Sequence, residues 1–280
     1  MVVGIVIGVV VVLGFLYLFV DREIYFYEGV HLGPQIQGWL YDRWAAEYDK
    51  GKRESQARDP EMLARPLLEA LKDMPQPFVL DIATGTGRMP FALLTQPEFK
   101  GHIIALDISL GMLEQAAAKL AGQRDGVTLM KYTTLPLPFP DNTFDVVSCM
   151  EALEVMPEME TPLAEFARIL RPGGVFISSR GTEASGRKNK VRSVAEFTGL
   201  LQKAGFEQIQ VIPWWKWFDR AWARKPGQST PSGLHQLTEA LRCPGCGKTS
   251  LEAESARKLR CACGVELPIS PEGIVIYPAQ

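Results

Sequence analysis

The stretch Phe78-Val79-Leu80-Asp81-Ile82-Ala83-Thr84-Gly85-Thr86-Gly87-Arg88 narrows the folds open to this chain more than any other. A mostly apolar run carrying a carboxylate is followed at once by two glycines spaced as G-x-G. A helical pattern then begins at Met89. Together these read as a buried parallel strand, a tight loop and a helix start. The glycines let the backbone turn sharply and let a ligand come close without meeting a Cβ. The helix start offers free N–H groups. A dinucleotide-binding loop would carry a third glycine where this chain has Pro90. Asp81, just before the loop, would repel a pyrophosphate and suits a cation. Roughly twenty residues after Gly87 a second strand, His102 to Asp107, ends in another carboxylate, placed to take both hydroxyls of a ribose. A cationic amino-acid group joined to a ribose describes S-adenosyl-L-methionine better than NAD. The plainer alternative is a strand–helix loop with no ligand.

Four motifs carry a family resemblance: Val79 to Arg88, Ala105-Leu106-Asp107-Ile108-Ser109 with Gly111-Met112-Leu113, Leu137 to Val147, and Leu163 to Gly174. In combination they resemble the class I S-adenosylmethionine-dependent methyltransferases, with most likeness to the ubiquinone/menaquinone C-methyltransferase branch. The resemblance spans roughly residues 41 to 226. It implies an α/β fold: a Rossmann-like seven-stranded sheet with helices on both faces. It also implies that Ala83, Thr84, Gly85 and Gly87 form the loop around the amino-acid end of the donor, with Asp81 complementing its charge. Asp107 would hold the ribose, and Ile108 and Met112 would flank the adenine. Thr133 and Thr134 stand where the family often has Asp-Ala. A threonine hydroxyl can still accept a hydrogen bond from the adenine amino group. Tyr41 to Asp49 is similar to the helix that covers the cofactor, with Tyr48 and Asp49 closing it.

The remaining core elements come in order. Gly111 to Leu120 is a good helix former, and Val127 to Tyr132 and Phe144 to Cys149 are strands. Glu151 and Glu154 lie just past the carboxyl end of the latter, where open parallel sheets bind ligands. Glu151 is therefore a candidate general base or pocket residue, or else a carboxylate at a helix start with no chemistry. Lys50 to Asp59 is dense in charge and reads as a solvated link, before a helix from Pro60 to Leu71. A strand at Val175 to Ser179 comes after the turn Pro172-Gly173-Gly174. Phe206 to Pro213 and Phe218 to Lys225 form a closing antiparallel pair with Trp214, Trp215 and Trp217 between them. The basic stretch with Arg187, Lys188, Lys190 and Arg192 lies where the family lines its substrate entrance. It reads as a solvated loop or as a patch for anionic headgroups.

Both ends add something to this core. Val2 to Val20 has no charged residue, and about 28 Å of helix at 1.5 Å per residue matches a bilayer's hydrocarbon thickness. It lacks the basic start and small-residue cleavage site of a signal peptide, so it reads as an uncleaved single-pass anchor. Arg22 on its C-terminal flank places the rest of the chain in the cytoplasm. Aromatic residues from Tyr25 to Tyr27 and at Trp39 and Tyr41 either sit among headgroups or pack on the core. At the other end, Cys243 and Cys246, then Cys261 and Cys263, account for four of the five cysteines and read as a zinc ribbon. The segment from Leu241 to Ile274 resembles the small zinc activator proteins of tRNA, rRNA and protein methyltransferases. The expected division is 1–22 anchor, 23–76 juxtamembrane and lid helices, 77–226 methyltransferase core, 227–240 linker and 241–280 ribbon. A formal net charge of −2 argues against a protein living on nucleic-acid phosphates. Three functions stay open: methylation of a lipophilic quinone or lipid precursor, methylation of RNA or protein guided by the ribbon, and a binding module that keeps the fold without catalysis.

Overall fold

The computed structural model describes residues 2–185 and 191–278. Arg187, Lys188 and Lys190 of the basic stretch lie outside the described residues. Helix α1 (Val2–Phe19) continues into a wider-wound turn, Val20–Phe26. After a short turn at Val30–Leu32 come α2 (Pro34–Tyr48), α3 (Arg53–Gln56) and α4 (Arg65–Ala70). The core alternates β1 (Phe78–Ile82), α5 (Arg88–Leu94), β2 (His102–Asp107), α6 (Leu110–Lys119), β3 (Val127–Lys131) and β4 (Phe144–Cys149). It then runs through α7 (Glu160–Ile169), β5 (Leu170–Gly181), α8 (Val194–Lys203), β6 (Glu207–Trp215) and β7 (Phe218–Arg224). Last come α9 (Leu237–Ala240), β8 (Leu251–Ser255), β9 (Lys258–Cys261), β10 (Glu266–Pro268) and β11 (Ile274–Ile276).

The first seven strands form the expected sheet, in the order β3-β2-β1-β4-β5-β7-β6, parallel except for β7. Their side chains divide by the two-residue period of a strand. Phe78, Leu80, Ile104 and Phe176 enter one core layer, against Leu163 and Phe166 of α7 and Phe197 of α8. Val79, Ile103, Val175 and Ile177 enter the other, against Leu67 of α4, Leu93 of α5 and Leu113 of α6. Burial on both faces is why these strands read as continuous apolar runs. Asp145 is buried inside β4. Its carboxylate accepts from the Phe78 N–H at 2.8 Å and from Arg171 Nε at 2.5 Å, which ties β1, β4 and the start of β5 together. The fifth strand begins at Leu170, earlier than the Val175 expected. Pro172, Gly173 and Gly174 lie in a bulge, between Leu170 opposite Phe144 and Val175 opposite Val146.

An eighth strand completes the sheet. β11 pairs in parallel with β3, Ile274 opposite Leu129, so the last strand of the C-terminal region extends the core sheet at its β3 edge. β8, β9 and β10 make a small antiparallel sheet of their own. The intervening stretch, expected as a linker, is held to the core: Ser229 Oγ donates to the Pro172 carbonyl at 3.1 Å, and Leu237 and Ala240 are buried. Leu241, Leu251, Leu259 and Leu267 share an apolar cluster with Phe144. Lys50 to Asp59 also departs from the solvated link expected. It folds as short helical turns and buries Ser55 and Asp59, because their polar atoms find partners within the lid and core. Among the described residues one helical stretch, Ile5–Phe26, is long and apolar enough to cross a membrane, with mean hydropathy 2.3 and none of its apolar window buried.

Candidate active site

The loop after β1 is held by the two carboxylates read from the sequence. Asp81 is buried, and its Oδ1 accepts from Ser148 Oγ of β4 at 2.6 Å. Asp107, at the end of β2, accepts from the Gly85 N–H at 2.8 Å and from the Ser109 N–H at 2.9 Å, so one side chain fixes two loops. Burial raises the carboxyl of Asp81 to about 7, with Asp107 nearby adding to the rise. Burial likewise raises Asp107 to about 6 against the pull of its N–H donors. Among the described residues neither has an ion-pair partner. Gly87 caps α5 with φ of 79°, and a Cβ there would lie 3.2 Å from the Ala116 Cβ; its work is helix entry and packing on α6.

A cavity of 490 Å³ opens in front of this loop. Ala83, Gly85 and Glu151 line it; so do Asp107, Ile108, Met112, Thr133 and Thr134. Asp81 and Thr84 instead line a smaller adjoining cavity of 40 Å³, where Ala83, Gly85 and Glu151 appear again. Gly87 lines neither of these cavities. The larger space continues past the loop between apolar side chains, among them Met150, Val155, Met156 and Phe166, to Val30, Gly33 and Pro34 just after the long apolar helix. No described residue between 180 and 192 lines it.

Helix α2 covers the site. Asp42 Oδ1 accepts from Ser109 Oγ at 2.6 Å and from the Gly111 N–H at 2.8 Å. Gln37 Nε2 donates to the Val155 carbonyl at 2.8 Å across the cavity. Gly38 lets the helix lie close, since a Cβ there would stand 3.1 Å from the Ile108 carbonyl oxygen. Past the helix, Asp49 accepts from Thr86 Oγ1 and pairs with Lys119 Nζ, both at 2.6 Å.

Glu151 occupies a left-handed backbone conformation, φ 54°, and its N–H donates to Ser179 Oγ at 2.6 Å. Its side chain is almost wholly buried. Oε1 accepts from Arg88 Nη1 at 2.6 Å, and Oε2 is bound by Lys52 Nζ. Arg88 also grips Asp59 through two hydrogen bonds, at 2.7 and 2.8 Å, and lies 4.3 Å from the Trp214 ring centroid. Burial raises Asp59 to about 6 against the pull of Arg88. Glu151 is thus the centre of a buried ion network joining lid and core. Sequence reasoning missed Lys52, Asp59 and Arg88 as its members. For Lys52 and Asp59 the only signal was the charge density of residues 50–59.

A family model described as a methyltransferase domain matches residues 79–174. A demethylmenaquinone methyltransferase from Symbiobacterium thermophilum is 35% identical over 140 residues, 49% of this chain. The chain spans only 56% of that relative's length. Human methyltransferase-like protein 27 is 30% identical over 226 residues, covering 73% of this chain and 86% of the relative. The chain belongs to the class I S-adenosylmethionine-dependent methyltransferases. Its fold agrees: a putative S-adenosyl-L-methionine-dependent methyltransferase from Methanococcus maripaludis superposes with a TM-score of 0.54 at 20% identity, over 67% of this chain and 94% of that one.

The residues present fit the methyltransferase donor. Two buried carboxylates stand without a cation at the loop where a cationic group would lie. The Thr133 Oγ1 on the cavity wall is buried with no hydrogen-bond partner, as an adenine-edge contact would require. The cysteine cluster lies apart from this site. The four Sγ atoms of Cys243, Cys246, Cys261 and Cys263 are all within 4.8 Å of one another, with cross pairs at 3.5 and 3.6 Å. A tetrahedron of thiolates about zinc, with bonds of about 2.3 Å, has edges of about 3.8 Å. The C-x-C pair closes as the C-x-x-C pair does: the Gly264 N–H returns to the Cys261 carbonyl at 2.9 Å, and the Gly247 N–H to that of Cys243 at 2.8 Å. The shorter spacing therefore still presents both sulfurs.

Proposed function

We propose that this methyltransferase is held at a membrane by the Val2–Val20 segment, catalytic side in the cytoplasm, and methylates a lipophilic small molecule such as a quinone or lipid precursor. The observation that supports this is the cavity. Beyond the donor loop its walls are apolar, and one of them is the corner just after the apolar helix. The Symbiobacterium thermophilum relative, a demethylmenaquinone methyltransferase, points the same way.

S-adenosyl-L-methionine supplies a methyl group activated by a sulfonium. Asp81 complements the positive charge at its amino-acid end, which Ala83, Thr84 and Gly85 admit. Asp107 takes the ribose, Ile108 and Met112 flank the adenine, and Thr133 and Thr134 meet its edge. Attack on such a methyl needs little acid–base machinery, so positioning and exclusion of water by the lid carry most of the rate. Both oxygens of Glu151 are engaged by cations, so it serves as a strut between lid and core in place of a base. The four cysteines hold one structural zinc ion.

The test is transfer of radiolabel from the donor by detergent-solubilised full-length protein to separated lipid-extract, RNA and protein fractions of membranes and cytosol. Label is expected in the lipid extract. Label confined to RNA or protein would overturn the choice of acceptor and move the ribbon-guided alternative to first place.

A further inference from the structure

We infer that the outer face of α2 is a membrane-seated surface: Ile36 and Trp39 enter the headgroup layer beside the anchor, so that the mouth of the cavity opens onto the bilayer. This rests on the reading of Val2–Val20 as an anchor and adds to it the orientation of the catalytic domain.

Exposed large apolar side chains are not scattered over this molecule. Apart from Phe91, Leu135, Val194 and Trp217, every one in the described residues lies between Ile5 and Trp39. Isolated exposed apolar residues are ordinary, whereas a contiguous set marks a contact surface. Helix α2 shows how it arises. Gln37, Gly38, Leu40 and Ala45 face inward, while Ile36 and Trp39 face out at 43% and 54% exposure. Arg43, one turn on, lies with its guanidinium 5.0 Å from the Trp39 ring centroid. A tryptophan with an arginine beside it, both just past an apolar span, is the composition that settles at headgroup depth.

The corner between the span and α2 is built, which fixes where that face lies. Glu23, in the last turns of the apolar helix, accepts the Gly29 N–H on its carbonyl at 2.8 Å and meets His31 Nδ1 with its carboxylate at 2.9 Å. The Tyr27 and His31 rings pack against each other at a tilt, their centroids 4.4 Å apart. Trp39 stands five residues into α2, about 7.5 Å along its axis at 1.5 Å per residue. A headgroup layer is roughly 5–8 Å thick on each side of the hydrocarbon. With Pro34 seated at the hydrocarbon boundary, even a helix leaving the surface steeply keeps Trp39 within that layer. The cavity shares this edge: Pro34 and Leu135 both line it and are both exposed, which makes them its lip. A lipophilic acceptor can then pass from the bilayer to the cavity without crossing water.

The test uses the full-length protein in nanodiscs of phosphatidylcholine, with or without bromine at the headgroup end of the acyl chains. Bromine quenches tryptophan emission on contact. Of the six tryptophans, Trp39 should supply most of the quenching, so Trp39→Phe should lose the greater part of the quenched emission, about one-sixth of the total for equal emitters. Donor affinity of the variant should match the parent, since the side chain points away from the site. Equal quenched emission in parent and variant would overturn the proposal. The measurement needs no methyl acceptor, so its failure would leave the proposed acceptor class standing. Failure of lipid labelling would likewise leave this surface standing.

Discussion

At the scale of single residues, Asp81 and Asp107 are carboxylates kept out of water with no cation beside them. Burial lifts them to about 7 and about 6. A carboxyl raised on folding contributes stability that is full below the ordinary carboxylate range and is lost as pH rises through the raised value. The donor-free protein should therefore lose this contribution between the ordinary carboxylate range and about 7. A cationic donor favours the ionised form and reverses the trend. Its affinity should climb as pH rises toward about 7, with a proton released on binding, and each unit below that should cost up to about tenfold. Calorimetry in buffers of different ionisation enthalpy, on parent and Asp81→Asn, measures this. An equal pH dependence in both would place the titrating group elsewhere.

Glu151 is the other residue whose role turns on its partners. Removing its charge leaves the largely buried Arg88 and the half-buried Lys52 with one carboxylate fewer, and breaking a buried ion pair costs about 3–5 kcal/mol. Glu151→Gln keeps the shape and some hydrogen bonding, so a loss of about 2–3 kcal/mol is expected in denaturant unfolding, with the pH profile of turnover unshifted. Normal stability with the low-pH limb of that profile lost would restore Glu151 as a base.

At the scale of elements, the ribbon and the core sheet are one packing unit. β11 is hydrogen-bonded to β3, the Tyr277 N–H donates to the Lys131 carbonyl at 3.1 Å, and Tyr277 packs on the Tyr132 ring at 5.3 Å. The ribbon sheet is too small to build a core alone, so metal binding would supply its folding energy. Metal analysis should give about one zinc per chain. Chelation should remove hydrogen-exchange protection first from β8 to β10, then from β11 and from β3 along its edge. If the metal is absent, or if β11 and β3 keep their protection after it is stripped, the ribbon does not support the sheet.

At the scale of the whole molecule, the apolar helix and the cavity lie at the two ends of one built corner. Deleting residues 1–22 should leave donor binding unchanged and should lower methylation of a quinone embedded in vesicles. Methylation of a short-chain soluble analogue should fall much less, because a tether raises the local concentration of the enzyme only where the acceptor is confined. Equal rates on the vesicle substrate would make the anchor an address alone.

The features legible in the sequence were short-range. The G-x-G loop after an apolar run, the carboxylate closing the second strand, the strand runs of the core and the paired cysteines each state their chemistry within a few neighbours. Apolar periodicity and turn residues act over that distance. For these elements the mixed α/β sheet and the cysteine cluster agree with the reading. The tertiary structure alone decided whatever depends on distant partners. Lys52 reaches Glu151 across 99 positions of sequence. β11 closes on β3, a pairing that no local pattern announces, because three apolar residues suit any uncovered edge. Val30 and Gly33 become cavity wall only because Gln37 draws α2 over the loop at Val155. Local chemistry determined which elements form, and long-range packing determined which of their polar groups were already engaged and which were left for a ligand.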